Sequence, residues 1–101
     1  MIEEFEAWFR EHEPQLKDSS VQVEITRRNI PSRVITAVLE SELYIASFTL
    51  WEPGAFDVHV LSLSKGKSVF DQRYDFENVM EMLSILEDTY CKFLYHSFDS
   101  V

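Results

Sequence analysis

Ile2, Phe5, Phe9, His12 and Leu16 recur at steps of three and four, which is one face of a helix. Glu3, Glu4 and Glu6 stand in its first turns, where the helix dipole favours negative charge. Pro14 interrupts the pattern, so the regular helix is expected to end near His12 or to distort around Pro14. Lys17 to Ser20 is polar and reads as a connection. The period then changes. Val21, Val23 and Ile25 alternate with Gln22, Glu24 and Thr26, as in a half-buried strand. Asn29 to Ser32 contains Pro31 and reads as a turn. Arg33 to Leu39 is apolar on both parities, as a central strand would be. Glu40-Ser41-Glu42 is a short polar hairpin, and Leu43 to Trp51 and Phe56 to Leu63 follow as strands around Pro53-Gly54. Ser64 to Lys67 is the next turn, and Ser68 to Tyr74 the last strand.

The Pro53-Gly54 hairpin constrains its own register. A plain two-residue loop would set Trp51 opposite Phe56 and mix Phe48 and Leu50 with Asp57 and His59. A shift of one residue places Leu50 opposite Phe56 and Phe48 opposite Val58, so that the apolar sets coincide. A one-residue slip moves every side chain to the other face, and burial therefore selects the second register. It needs a bulge or a longer loop, with Gly54 at a position of positive φ. Ser47, Thr49, Trp51, Asp57 and His59 then share the face away from the core.

Asp75 is placed to cap a final helix. Its apolar stripe is Phe76, Val79, Leu83, Leu86, Tyr90, Phe93 and Leu94, with Ile85 and Tyr95 off it, and it should run to about His96. The resulting class is α+β: an N-terminal helix, a five-stranded antiparallel meander and a C-terminal helix packed on one face of the sheet. The pattern does not assign the first helix to a face, and so leaves open whether Trp51 is covered.

Composition narrows the functional classes. A chain of 101 residues, 46% of them apolar, has room for one domain with a real core. No apolar run approaches the ~20 residues of a membrane span. The acidic start lacks the pattern of a signal peptide, which reads as mature protein. Cys91 is alone, in keeping with a reducing cytoplasm. Acids outnumber bases eighteen to nine, for a net charge of −9. That balance argues against nucleic acid, whose phosphates require clustered cations. It suits a basic protein partner, which it would steer by long-range attraction.

Catalytic signatures are lacking. Two glycines cannot build a phosphate loop, and one cysteine with the scattered His12, His59 and His96 makes no zinc motif. No cofactor is expected. Asp57 and His59 lie about 7 Å apart along one strand face, which fits an acid–base or metal site but more commonly a solvated surface. Cys91 and His96 point to different sides of a helix. Trp51, at a hairpin end, has the character of an interface anchor, with Glu40, Glu42 and Glu52 at the turns as an acidic rim.

The acidic N-terminal helix with Phe5, Trp8 and Phe9, the run Val21-Gln22-Val23-Glu24-Ile25 and the central segment from Tyr44 to Val60 (YIASFTLWEPGAFDVHV) resemble the TriTu family of bacterial immunity proteins. The resemblance is most specific between Tyr44 and Val60, and departs at Pro53, where the family more often has serine. It implies a cytoplasmic, non-enzymatic protein, a monomer or weak homodimer, that neutralises a cognate toxin by covering it. The candidate contact surface is Trp51 with Glu52, Asp57 and His59, joined by Glu40 and Glu42. A small acidic secretion chaperone or adaptor is the alternative, and a small enzyme built on Asp57 and His59 a third possibility.

Overall fold

The computed structural model describes residues 1–29, 32–52 and 54–94. The expectations on Pro31, Pro53, Tyr95 and His96 therefore lie outside the described residues. The first helix, α1 (Ile2–Asp18), buries Ile2, Phe5, Phe9 and Leu16 along one stripe. An end near His12, one of the two sequence expectations, is overturned: the helix continues through Pro14 to Asp18. Pro14 lies on the exposed side, where water can reach the Arg10 carbonyl that loses its amide partner. Extending the helix brings Leu16 to full burial and lets its carbonyl accept the Val21 amide at 2.8 Å. Burying such a side chain yields about 1.5–3 kcal/mol, which with the docking of the last turn offsets the ~3 kcal/mol local cost of an interior proline.

The strands are β1 (Gln22–Arg28), β2 (Val34–Glu40), β3 (Tyr44–Trp51), β4 (Ala55–Ser62) and β5 (Lys67–Asp75). They pair antiparallel in the order β1-β2-β3-β4-β5. β2 is interior, between β1 and β3, as its two apolar parities require. The β3–β4 hairpin takes the register selected by burial, with Leu50 opposite Phe56 and Phe48 opposite Val58. Trp51 pairs with Ala55, so the loop is longer than two residues. The bulge lies elsewhere, between β4 and β5 at Val60/Leu61.

Gly54 departs from expectation in its reason for being glycine. The positive-φ glycine is Gly66, at φ 65°, in the β4–β5 turn. At Gly54 the constraint is space: a Cβ would stand 2.5 Å from the Phe76 carbonyl oxygen. The Phe76 amide also donates to the Gly54 carbonyl at 3.2 Å, which stitches the hairpin to the segment entering the last helix.

That helix, α2 (Val79–Leu94), is capped by Asn78 and not by Asp75, which still belongs to β5. Asn78 Oδ1 accepts the Glu81 amide at 2.9 Å, and the Glu81 carboxylate reaches back to the Glu77 amide at 2.9 Å. Phe76, Leu86, Tyr90 and Phe93 are buried as the stripe requires, whereas Val79, Leu83 and Leu94 are only half-buried. Met82 and Thr89 are fully buried although the stripe omits them, and Ile85 packs against the core.

Both helices lie on the same face of the sheet. Phe5 and Phe9 from α1, with Met82, Leu86 and Phe93 from α2, share one cluster with Ala37, Phe48, Leu50, Phe56 and Val58. Trp8 meets Tyr90 edge-on at 4.8 Å, and the Tyr90 hydroxyl donates to Gln15 at 2.8 Å, joining the helices directly. Arg27 ties β1 to Glu6 of α1 at 2.7 Å. α2 reaches β3 through Phe93 and Tyr44 and β5 through Lys92 over the Phe70 ring. Among the described residues nothing covers the other face.

Candidate functional site

The open face is a direct product of strand alternation. With Ile35, Ala37, Phe48, Leu50, Phe56 and Val58 committed to the helices, their neighbours must point away. Thr36, Val38 and Glu40 of β2, Ile45, Ser47, Thr49 and Trp51 of β3, and Ala55, Asp57, His59 and Leu61 of β4 therefore share the uncovered side. The face predicted for Ser47, Thr49, Trp51, Asp57 and His59 is the one observed.

Trp51 is half-buried rather than fully exposed. The Arg73 guanidinium sits 5.5 Å from its ring centroid, a cation–π contact across the sheet. Its direct partner on β2, Val34, is only 6% exposed yet stands apart from the core cluster. Ser32, Glu52, Gly54 and Ala55 complete a shallow hollow beside the ring. Asp57 lies opposite Arg73 and forms an ion pair at 3.5 Å. It is too long for a strong hydrogen bond, and Asp57 Oδ1, though shielded from solvent, has no hydrogen-bond partner among the described residues. His59 is exposed, between Ser47 and Asp71. The two residues thus share the uncovered strand face. No group of three His, Cys, Asp or Glu side chains that could hold a metal occurs among the described residues.

The six candidate residues do not form one cluster. Trp51 pairs with Val34 at the start of β2, whereas Glu40 ends that strand and Glu42 lies in the turn beyond it. The separation is about 20 Å at the rise of a β-strand, so these acids do not border Trp51. Glu52 is close to Trp51 but is held elsewhere. Its carboxylate accepts the Ile2 amide at 3.1 Å, meets the Met1 ammonium at 3.4 Å and pairs with Arg33 at 2.9 Å. Arg33 also binds Glu3 at 2.9 Å. Hydrogen bonding to Glu3, with the nearby Glu52 charge, pushes the Arg33 guanidinium up. The Glu3 carboxyl is lowered by its own backbone amide and then by Arg33.

Glu52 therefore acts as a side-chain clamp on the start of α1, a task Met1 does not perform because its side chain makes no capping bond. Glu52→Ala is expected to cost about 1 kcal/mol, the usual value of a helix cap and dipole partner. Glu52→Gln, which keeps an acceptor but loses the charge, should fall between. Urea denaturation checks this, and an unchanged midpoint for Glu52→Ala would remove the clamp.

The candidate set omitted two kinds of residue. Arg73 was not visible as a partner of Trp51 and Asp57 because that pairing depends on the β4–β5 register. Leu43, Ile45, Leu61 and Leu63 read in the sequence as strand residues. Their shared parity with Trp51 and His59, on the side away from Phe48 and Val58, was the available signal.

No curated protein matches the chain. The sequence model described as immunity protein TriTu matches residues 3–92, a span that runs from the first turn of α1 through all five strands into α2. The chain belongs to the TriTu family of immunity proteins.

Proposed function

We propose that this protein is a bacterial cytoplasmic immunity protein that neutralises a cognate toxin by laying the open face of its sheet over it. The observation that carries the reading is the placement of both helices on one side of the sheet, in a chain of an immunity family. The remaining side offers a broad, preformed surface, which lowers the ordering cost of association. Inhibition by coverage needs no chemistry, and the place of Asp57 and His59 on the uncovered strand face suits contact. The charge of −9 favours a basic toxin, by speeding encounter and disfavouring acidic competitors. Trp51, Asp57 and His59 are the contact residues assigned to one end of the face, and Glu40 and Glu42 those at the other.

Co-expression with the protein encoded by the adjacent gene, scored for growth and then for co-purification, tests the reading. Rescue with a stable complex is expected, together with at least tenfold weaker binding by a Trp51→Ala/Asp57→Lys variant. Full neutralisation by that variant would reject the surface assignment. Binding without toxicity would point to an adaptor instead.

A further inference from the structure

Leu43 and Leu63 are two of the large apolar residues that stand exposed among the described residues, at 45% and 42%. They are neighbours, since the Leu63 amide donates to the Leu43 carbonyl at 2.9 Å just beyond the ends of β3 and β4. Pairing of Ile45 with Leu61 follows on the same parity. Val38, opposite Ser47 on β2, extends the patch by one strand. Ile45, Leu61 and Val38 are half-buried, yet none belongs to the core or to the side chains packed against it. The open face thus carries an aliphatic patch at the end remote from Trp51.

Its border is acidic on the β1–β2 side. Glu24 pairs with Val38, Glu40 pairs with Ile45, and Glu42 occupies the β2–β3 turn. All three are exposed, and no ion pair engages them among the described residues. The bases of the β4–β5 turn are Lys65 and Lys67, of which Lys67 pairs with Ser62 and so takes the parity of the helix side. An apolar centre with a charged rim is the composition of a protein interface.

We infer that this patch, Val38, Leu43, Ile45, Leu61 and Leu63, is the apolar anchor of the toxin contact, and that it receives an apolar projection bordered by Lys or Arg. The inference rests on the toxin-binding reading and deepens it. Charge complementarity selects the occupant: the rim acids call for cations, whereas a second copy of this chain would bring another net charge of −9 to the same place. Five side chains fall short of the roughly 800 Å² per partner of a stable interface. The patch therefore serves as one end of a footprint that continues along β3 and β4 toward Trp51.

The test uses the full chain and the toxin encoded beside it. A Leu43→Ser/Leu63→Ser variant alters only exposed positions, so its thermal midpoint should stay within about 2–3 °C of the unaltered chain. Its toxin affinity should fall at least tenfold. A second variant, Glu40→Lys/Glu42→Lys, should slow association and flatten its dependence on salt. If the unaltered chain forms the complex and both variants match it, the inference is overturned while the toxin reading stands. If the unaltered chain is a concentration-dependent dimer that Leu43→Ser/Leu63→Ser dissolves, the patch belongs to a second copy and the inference is again overturned. If the unaltered chain forms no complex, the toxin reading itself fails and the inference falls with it.

Discussion

Phe48→Ala is expected to remove about 3–5 kcal/mol of folding stability, the usual cost of truncating a buried phenylalanine. Phe48 is fully buried on β3, the middle strand of the sheet. Its ring lies 5.5 Å from Phe9 of α1 and 6.2 Å from Phe56 of β4. Ala37 flanks it on β2 and is too small to fill the void. The loss would consume a large share of the 5–15 kcal/mol typical of a domain this size, and lower the melting temperature by roughly 15–30 °C. Ser47→Ala is the matched control. Its side chain is adjacent in sequence but points to the open face, so the cost should stay within about 0.5 kcal/mol. Urea denaturation of the two variants measures the contrast. A difference below about 1 kcal/mol would mean that the packing under α1 does not depend on this ring.

Gly54→Ala is expected to destabilise by about 1–3 kcal/mol, the range for forced overpacking. The added Cβ would meet the Phe76 carbonyl at 2.5 Å, and that obstacle is backbone, held by the Phe76-to-Gly54 hydrogen bond. Ordinarily such a replacement is neutral or stabilises by restricting the unfolded chain. The sign should therefore be reversed here. Gly66 provides the comparison, because its φ is 65° and nothing lies within 4 Å of an added Cβ. There the cost is conformational, so asparagine, which tolerates the left-handed region, should recover most of what alanine loses. At Gly54 asparagine should be no better than alanine, since both carry the offending atom. Thermal melts of the four variants distinguish the two causes; recovery by asparagine at Gly54 would show that backbone handedness, not the Phe76 carbonyl, sets the requirement.

Several features of the fold were legible because they depend on interactions close in sequence or on parity. The helical steps from Ile2 to Leu16 and the period-two runs placed all seven elements in order. The β3–β4 register followed from matching apolar sets across one hairpin, and with it the face carrying Trp51, Asp57 and His59. The extension of α1 past His12 was not legible, because the local cost of Pro14 is offset by the tertiary burial of Leu16. The cap of α2 shifted from Asp75 to Asn78 because β5 continues one residue past Tyr74, held by pairing of Asp75 with Ala55.

The candidate site depended more heavily on distance. A turn-by-turn reading places Glu40, Glu42 and Glu52 near Trp51, yet antiparallel strands return successive turns to opposite ends of the sheet. Glu40 and Glu42 consequently border Leu43 and Ile45, while Glu52 holds the start of α1. The sequence by itself determined the elements, their order, the alternation that makes two faces, and the acidic charge. Only the tertiary structure decided that both helices share one face, that no described residue covers the other, and that Glu52 is a clamp. Periodicity fixes which side chains lie together on a strand or helix. Which of those faces is buried depends on contacts between elements far apart in the chain, and no local pattern encodes them.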